Sequence, residues 1–265
     1  MSIELRGSTA LVTGATGGIG QAIVRALHDR GAKVIASGRN REVLRELAAG
    51  LDGVEPLVAD LCDPAQVSAL VDGRRIDVLV ANAALPASGR LDSFSAQEID
   101  RALDVNLRAP MQLAHALVPH MVERGGGHLV FISSLSGKFA SAGASVYNAT
   151  KFGLRGFGFA LHEELRGTGV GVTTVFPGFI RDAGMFADSG AELPRGVGSR
   201  TPTDVAAAVI AGIDKGRAEV DVAPRSLAFG ARLFGLAPVM VAGVNRRLGA
   251  DPLAAAIAAG QRDKR

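Results

Sequence analysis

Tryptophan is absent from this chain, and tyrosine and cysteine each occur once in 265 residues. The single cysteine, Cys62 in the run ADLCDP, excludes an intrachain disulfide. No motif surrounds it, so packing is its expected role, and a reducing compartment is compatible with the count. Aromatic residues make up only 5%, and no long run of lysine and arginine occurs. The net charge of +3, from 29 basic and 26 acidic residues, is dispersed, which leaves a nucleic-acid surface without support. His28, His115, His120, His128 and His162 show no ligand spacing, so no metal site is expected. No basic leader with a long apolar stretch opens the sequence, so the expectation is no signal peptide and a cytoplasmic location. Asn148-Ala149-Thr150 matches a glycosylation sequon, which in that context reads as coincidence.

What is present is alternation. No repeat, low-complexity stretch or linker divides the chain, and 48% apolar residues supply ample core. Short apolar runs predict strands at Ala10–Thr13, Lys33–Ser37, Val54–Ala59, Asp77–Ala81, His128–Ser133, Gly171–Phe176 and Glu219–Val222. Between them lie helical patterns at Ile19–Arg30, Arg41–Ala49, Ala65–Val71, Ala96–Glu123, Ser145–Gly167 and Thr203–Gly216. The expected fold class is α/β: a single-domain, doubly wound parallel sheet of about seven strands with helices on both faces. The core covers 5–222, with an apolar extension over 223–265. Such sheets bind ligands outside the C-terminal ends of their strands. Gly14, Asn82, Ser134 and Pro177-Gly178 all fall at such ends, so four strand exits converge on one crevice.

Two motifs stand in that crevice. TALVTGATGGIGQAIVRAL, residues 9–27, runs from a strand through a glycine turn into a helix, with Gly14, Gly18 and Gly20 flanking Thr16 and Ile19. Glycines let a pyrophosphate approach the backbone, and the helix N-terminus offers free N–H groups to it. The second motif is Tyr147 and Lys151, four apart, thirteen residues after Ser134. On a helix they share a face. A Tyr hydroxyl titrates at about 10 in water, and a neighbouring ammonium is expected to lower that value toward neutrality. A Ser hydroxyl nearby suits the same substrate oxygen.

With both motifs in place the chain resembles the short-chain dehydrogenase/reductase family over about residues 5–222. That family's TGxxxGxG, Asn-Ala, helix Asn, Ser and YxxxK are matched here by Thr13–Gly20, Asn82-Ala83, Asn106, Ser134, Tyr147 and Lys151. One departure is visible. The usual Asn-Asn-Ala-Gly reads Ala81-Asn82-Ala83-Ala84, which is expected to narrow the cofactor groove slightly. The resemblance implies a Rossmann-type fold and an oxidoreductase interconverting a carbonyl and a secondary alcohol. It implies Tyr147 as general acid and Ser134, rather than Ser133, as the oxygen's hydrogen-bond partner. Lys151 would lower the Tyr147 pKa and hold the nicotinamide ribose, and Asn106 would position a proton-relay water. It also implies cofactor contacts from Asp60 and Leu61 after the third strand, and from Pro177, Gly178 and Ile180. Asn106 has another reading, as a polar residue bending a long helix, and Asp60 another as a helix cap, although Asp63 suits that job better.

No acid stands about 20 residues beyond the glycine turn, where an NAD site grips the ribose 2′-hydroxyl. Arg39 stands there instead, which suits a 2′-phosphate, so NADP (NADPH) is expected over NAD. Residues 179–202 read as a long irregular loop acting as a substrate lid, with Leu85–Leu91, Leu135–Gly143 and Phe186 adding walls. The mostly apolar lining suggests a lipophilic small-molecule substrate. Ser226–Val244 reads SLAFGARLFGLAPVMVAGV with basic flanks. It is read first as a helix over the substrate mouth or a neighbouring subunit, second as a peripheral membrane contact, third as a span. The resemblance implies a homodimer or homotetramer through the helices containing Ala96–Glu123 and Ser145–Gly167. A non-catalytic NADP-binding sensor or scaffold on the same fold is the alternative function. An epimerase or dehydratase of the extended branch is disfavoured by length, and a zinc dehydrogenase has no support.

Overall fold

The computed structural model describes residues 3–194, 197–247 and 250–264. The chain runs β1 (Thr9–Thr13), α1 (Gly18–Asp29), β2 (Lys33–Gly38), α2 (Arg41–Ala49), β3 (Val54–Val58), α3 (Pro64–Ala69) and β4 (Val78–Ala81). Then follow α4 (Ala96–Leu103), a π-helical turn at Asp104–Arg108, α5 (Ala109–Glu123), β5 (Gly127–Ile132), α6 (Ser145–Glu164) and β6 (Val170–Pro177). The remainder holds α7 (Met185–Ser189), α8 (Pro202–Lys215), β7 (Glu219–Val222), α9 (Arg225–Leu236), α10 (Pro238–Arg247) and α11 (Ala250–Gln261). All seven strands are parallel, in the order β3-β2-β1-β4-β5-β6-β7.

Successive side chains of a strand point to opposite faces, and here both faces are apolar. Ala10 and Val12 of β1 join Ile23, Val24 and Leu27 of α1, Leu44 of α2 and Val205 and Val209 of α8. Leu11, between them in sequence, joins Leu113 and Leu117 of α5, Leu154 and Leu161 of α6 and Val67 of α3. One strand thus seeds two cores, which is the doubly wound fold expected. Pro56, which cannot donate to a ladder, lies in the edge strand β3. Helix starts follow local chemistry: Asn40 caps α2, Asp63 caps α3, and capping boxes Ser95/Glu98 and Thr201/Asp204 open α4 and α8.

Three expectations change. Residues 96–123 are not one α-helix; the path passes through the π-helical turn that carries Asn106, between α4 and α5. A polar side chain there bonds the neighbouring segment rather than its own helix. The 179–202 segment is not wholly irregular, because α7 forms within it and Ile180 bridges Arg200. The apolar tail is broken at Ala237-Pro238 into α9 and α10, since proline cannot donate within a continuous helix. Among the described residues no helix is long and apolar enough to cross a membrane.

A buried ion cluster joins the turn after β5 to β7. Lys138, 3% exposed in its side chain, meets Asp221 Oδ1 at 2.6 Å and Glu219 Oε2 at 2.8 Å. Its ammonium also lies 3.9 Å from the Phe176 ring centroid. Arg155 of α6 bonds Glu219 at 2.7 Å, and Arg232 of α9 bonds Asp221 at 3.0 Å. Burial pushes the Glu219 carboxyl up, yet the bonds from Arg155 and Lys138 outweigh it and hold the group below its ordinary 4.5. A carboxylate depressed in the folded state contributes stability above its unfolded pKa and loses it as pH falls through the folded value. We expect Lys138→Ala to cost about 3 kcal/mol, because it leaves charges buried and underpaired. Urea melts at neutral pH and at pH below 4.5 check both points. The Glu219 contribution should be present at the first and fade at the second.

Candidate active site

The crevice starts where β1 and β4 leave the sheet side by side. Gly14 takes φ +66, and a Cβ on it would lie 2.7 Å from Ala83 Cα. Only glycine fits both that backbone and that approach. The joint is closed by hydrogen bonds: Asn82 Nδ2 donates to Thr13 O (3.0 Å) and Gly14 O (3.2 Å). The Asn82 and Ala83 N–H groups donate to Thr13 Oγ1 at 3.1 and 3.2 Å. Thr13 carries no role in the sequence reading, because its partners lie about seventy residues away in the chain. Helix α1 begins at Gly17 with no side-chain cap and no acid in its first turn. Its first N–H groups and positive dipole end are therefore open to an anion, and the turn fits a pyrophosphate.

The adenosine side is built by the next two strand exits. Gly38, ending β2, lies against the Thr16 side chain, and the exposed Arg39 follows it. Asp60 is half-buried and accepts the Cys62 N–H at 3.0 Å, while Asp63 caps α3. The Leu61 side chain is in the core with Ile35 and Val67. Of the two, Asp60 and not Leu61 has its side chain outside the core.

Opposite, Ser134, Tyr147 and Lys151 come together. Tyr147 and Lys151 are on α6 as expected, with Lys151 Nζ 5.7 Å from the Tyr147 ring centroid. Lys151 is 1% exposed and donates to Ile132 O at 3.0 Å. The Ser134 hydroxyl accepts the Ser136 N–H at 3.1 Å and lies close enough to the Tyr147 hydroxyl to favour its ionised form. Ser133 is instead buried and donates to Lys151 O at 3.0 Å, so Ser134 is the serine facing the tyrosine. Gly137 allows this, since a Cβ there would sit 2.6 Å from Lys151 O.

The expected lowering of the Tyr147 pKa does not occur. Burial pushes the hydroxyl up to about 12, and the Ser134 contact offsets only part of that. The Lys151 ammonium is engaged with a carbonyl and is itself pushed down to about 8 by burial. At neutral pH the site therefore holds a protonated phenol beside a protonated amine.

Asn106 is fully buried in the π-helical turn. Its Oδ1 accepts the Leu85 N–H at 2.7 Å, and its Nδ2 donates to Leu85 O at 3.0 Å and lies 3.4 Å from Thr150 Oγ1. Thr150 in turn donates to Tyr147 O at 2.8 Å. The side chain is thus committed to shaping the backbone. Pro177 ends β6 and Gly178 N donates to Val222 O at 3.0 Å, while the Ile180 side chain packs into the core with Val205 and Val209. Contact from Ile180 with a ligand therefore comes through its backbone.

The 179–202 segment begins here. Asp182 has φ 71, the left-handed region, in the only such non-glycine among the described residues. Ala183 then meets Gly18, and Gly184 packs on Ile19. The Phe179 and Phe186 rings sit 5.0 Å apart. Helix α11, absent from the sequence reading, packs on α7: Gln261 Nε2 donates to Met185 O at 2.9 Å, and Gly260 abuts Ser189. The sequence GADPLAAAIAAGQ carries its alanine-rich helical signal, but nothing marks its partner.

A glycine turn at a helix start, facing a Ser–Tyr–Lys cluster across the switch point of a doubly wound sheet, defines a dinucleotide-binding oxidoreductase fold. The short chain dehydrogenase family model matches residues 8–193. The ketoacyl reductase HetN of Nostoc sp. is 38% identical over 228 residues, covering 82% of this chain and 79% of that protein. A short-chain dehydrogenase from Streptomyces avermitilis superposes with TM-score 0.76 at 27% identity, over 88% of this chain and 93% of that one. One from Sphingobium yanoikuyae, in complex with NADPH, gives TM-score 0.74 at 31% identity, over 86% and 94%. The chain belongs to the short-chain dehydrogenase/reductase family and is an oxidoreductase of that family.

A lysine with a folded-state pKa near 8 and an ordinary value of 10.5 binds fewer protons folded than unfolded between those values. Stability of the ligand-free protein therefore rises with pH across that window. Lys151→Met removes the buried cation. It should stabilise the ligand-free protein at pH 7 on the order of 1 kcal/mol, or about 2–4 °C in melting temperature. The gap to the parent should shrink above pH 8. Identical melting curves for the two proteins across this range would contradict it.

Proposed function

We propose that the chain is an NADPH-dependent reductase that interconverts a carbonyl and a secondary alcohol on a lipophilic small molecule. The observation that carries this reading is the Ser134–Tyr147 pair, with buried Lys151 beneath it, opposite the open N-terminus of α1. The cofactor would be held by Gly14, Gly18, Gly20 and Thr16 at the phosphates, and by Arg39 at a 2′-phosphate. Asp60 would meet the adenine, and Asn82, Ala83 and the Pro177–Ile180 backbone would lie toward the nicotinamide. It would supply a hydride to the carbonyl carbon. As charge grows on the oxygen, Ser134 donates a hydrogen bond and Tyr147 donates its proton. A tyrosine held protonated to about pH 12 suits the acid of a reduction. Lys151, charged below about 8, sits close enough to stabilise the phenolate left behind, and Asn106 would position a relay water. The printed names of HetN and of the NADPH complex agree with this chemistry. Phe139 on the turn after Ser134, with the paired Phe179 and Phe186 of the lid, supports an apolar substrate.

Self-assembly through α5 and α6 is part of the same reading. Met111 and Val122 of α5 and Phe152 and Phe159 of α6 are exposed, although large apolar side chains usually turn inward. Sedimentation should give a dimer or tetramer, and Phe159→Glu should shift it toward monomer.

The test of function is turnover of NADPH and NADH side by side over a panel of ketones and aldehydes. Tyr147→Phe should lower kcat by roughly 10²–10⁴-fold while NADPH binding persists. Arg39→Leu should weaken NADPH use and spare NADH. Faster NADH turnover in the parent would defeat the assignment of Arg39. Tight NADPH binding with no turnover on any carbonyl, or on any alcohol in reverse, would favour a sensor.

A further inference from the structure

The outward stripe of α9 has the wrong chemistry for a face turned to water. Its exposed positions 225, 229, 232 and 236 recur at helical spacing and read Arg225, Phe229, Arg232, Leu236. The stripe continues around the Ala237-Pro238 corner into Val239 and Met240 at the start of α10. Phe229 is 63% exposed, Leu236 85%, Val239 83% and Met240 62%. The opposite side of α9 is already apolar and packed: Leu227 and Ala231 lie with Leu135 and Phe176, and Phe234 stacks edge-on with Phe139 at 6.5 Å. The helix therefore has two apolar sides, and only one has a partner in this chain.

Charge decides what the open side fits. From Val222 to Ala250 there is no aspartate or glutamate, and there are four arginines: Arg225, Arg232, Arg246 and Arg247. Arg232 leans on Asp221 at its base yet stays 72% exposed. A symmetric contact between two copies sets a patch against itself. Here that would press two copies of an arginine-bearing stripe together, with no acid on the stripe to offset the charge. An anionic lipid surface meets both requirements at once. It takes up apolar side chains and attracts the flanking cations. With no helix long enough to span among the described residues, the contact is peripheral.

We propose that the α9–α10 corner docks the protein on anionic membranes, inserting Phe229, Leu236, Val239 and Met240 below the headgroups. Because the packed side of α9 touches Leu135, next to Ser134, the docked face lies directly behind the wall of the candidate substrate site. The docking inference stands apart from the reductase reading, since vesicle binding is measured without turnover.

The experiment is co-sedimentation of the full chain with vesicles of phosphatidylcholine alone and of phosphatidylcholine mixed with phosphatidylglycerol, at low and high salt. The parent should bind the mixed vesicles, more weakly at high salt, and bind neutral vesicles poorly. The Leu236→Glu/Val239→Glu double variant replaces exposed side chains, so its melting temperature should match the parent. Its partition onto mixed vesicles should fall roughly tenfold or more. Arg225→Glu should reduce binding to mixed vesicles alone. Failure of the parent to bind mixed vesicles at low salt would overturn the proposal, as would equal binding by the double variant. Equal binding to neutral vesicles would overturn the role of charge. A fall in oligomeric mass of the double variant would identify the patch as an interface between copies instead.

Discussion

The crevice exists because two strand exits touch. β1 and β4 are neighbours in the sheet but not in sequence, and strand order reverses between them. Gly14 brings its backbone to within van der Waals distance of Ala83, closer than any side chain would permit. Such an approach buries peptide groups, which must then be satisfied. Thr13 and Asn82 do this reciprocally, the hydroxyl accepting two N–H groups and the amide donating to two carbonyls. The joint occupies both of these side chains, and no side chain caps the start of the following helix, which leaves its positive dipole end at the crevice uncapped.

The other wall follows a similar logic with a higher energetic cost. Asn106 takes both polar groups of Leu85, Thr150 takes the Tyr147 carbonyl, and Ser133 takes the Lys151 carbonyl. These bonds fix a loop, a helix turn and a strand end against one another, and so fix where the Tyr147 hydroxyl and Lys151 ammonium lie. Burying that ammonium with a single carbonyl destabilises the ligand-free fold, and burying the phenol keeps it protonated. A more stable protein would have an apolar residue at 151. Retaining lysine there makes sense only for chemistry at the crevice, where a buried cation acts on its neighbours more strongly than one in water.

The sheet was legible in the sequence because buried parallel strands are short β-branched runs, and all seven appear within about two residues of their expected bounds. The glycine turn and the Tyr–Lys spacing were legible for a related reason: each is a local pattern whose meaning depends on one element. What could not be read depends on distant partners. The π-helical turn at Asn106 is stabilised by Leu85, twenty-one residues away, and no periodicity announces it. Burial decides the direction of the Tyr147 shift, and burial is a property of the whole fold. The nearest charge, Lys151, pointed to a lowered pKa, but it contributes nothing to the shift, and the loss of water around the phenol outweighs the Ser134 contact that does lower it. Likewise α7 lies in a stretch without helical periodicity and takes its support from α11, more than sixty residues on.

The C-terminal region therefore touches the site at two points. Its first helix, α9, backs the turn that carries Ser134, and its last, α11, holds α7 of the lid through Gln261 and Gly260. The lid in turn reaches the glycine turn at Gly18 and Ile19. A ligand or surface that engages the tail more strongly in one lid position than another must shift the lid by that difference in free energy, and no more. By reciprocity, a molecule bound beneath the lid must change the tail's affinity for its partner by the same factor. Under the docking proposal, the contacts of α9 and α11 would couple the docked surface to any movement of the 179–202 segment.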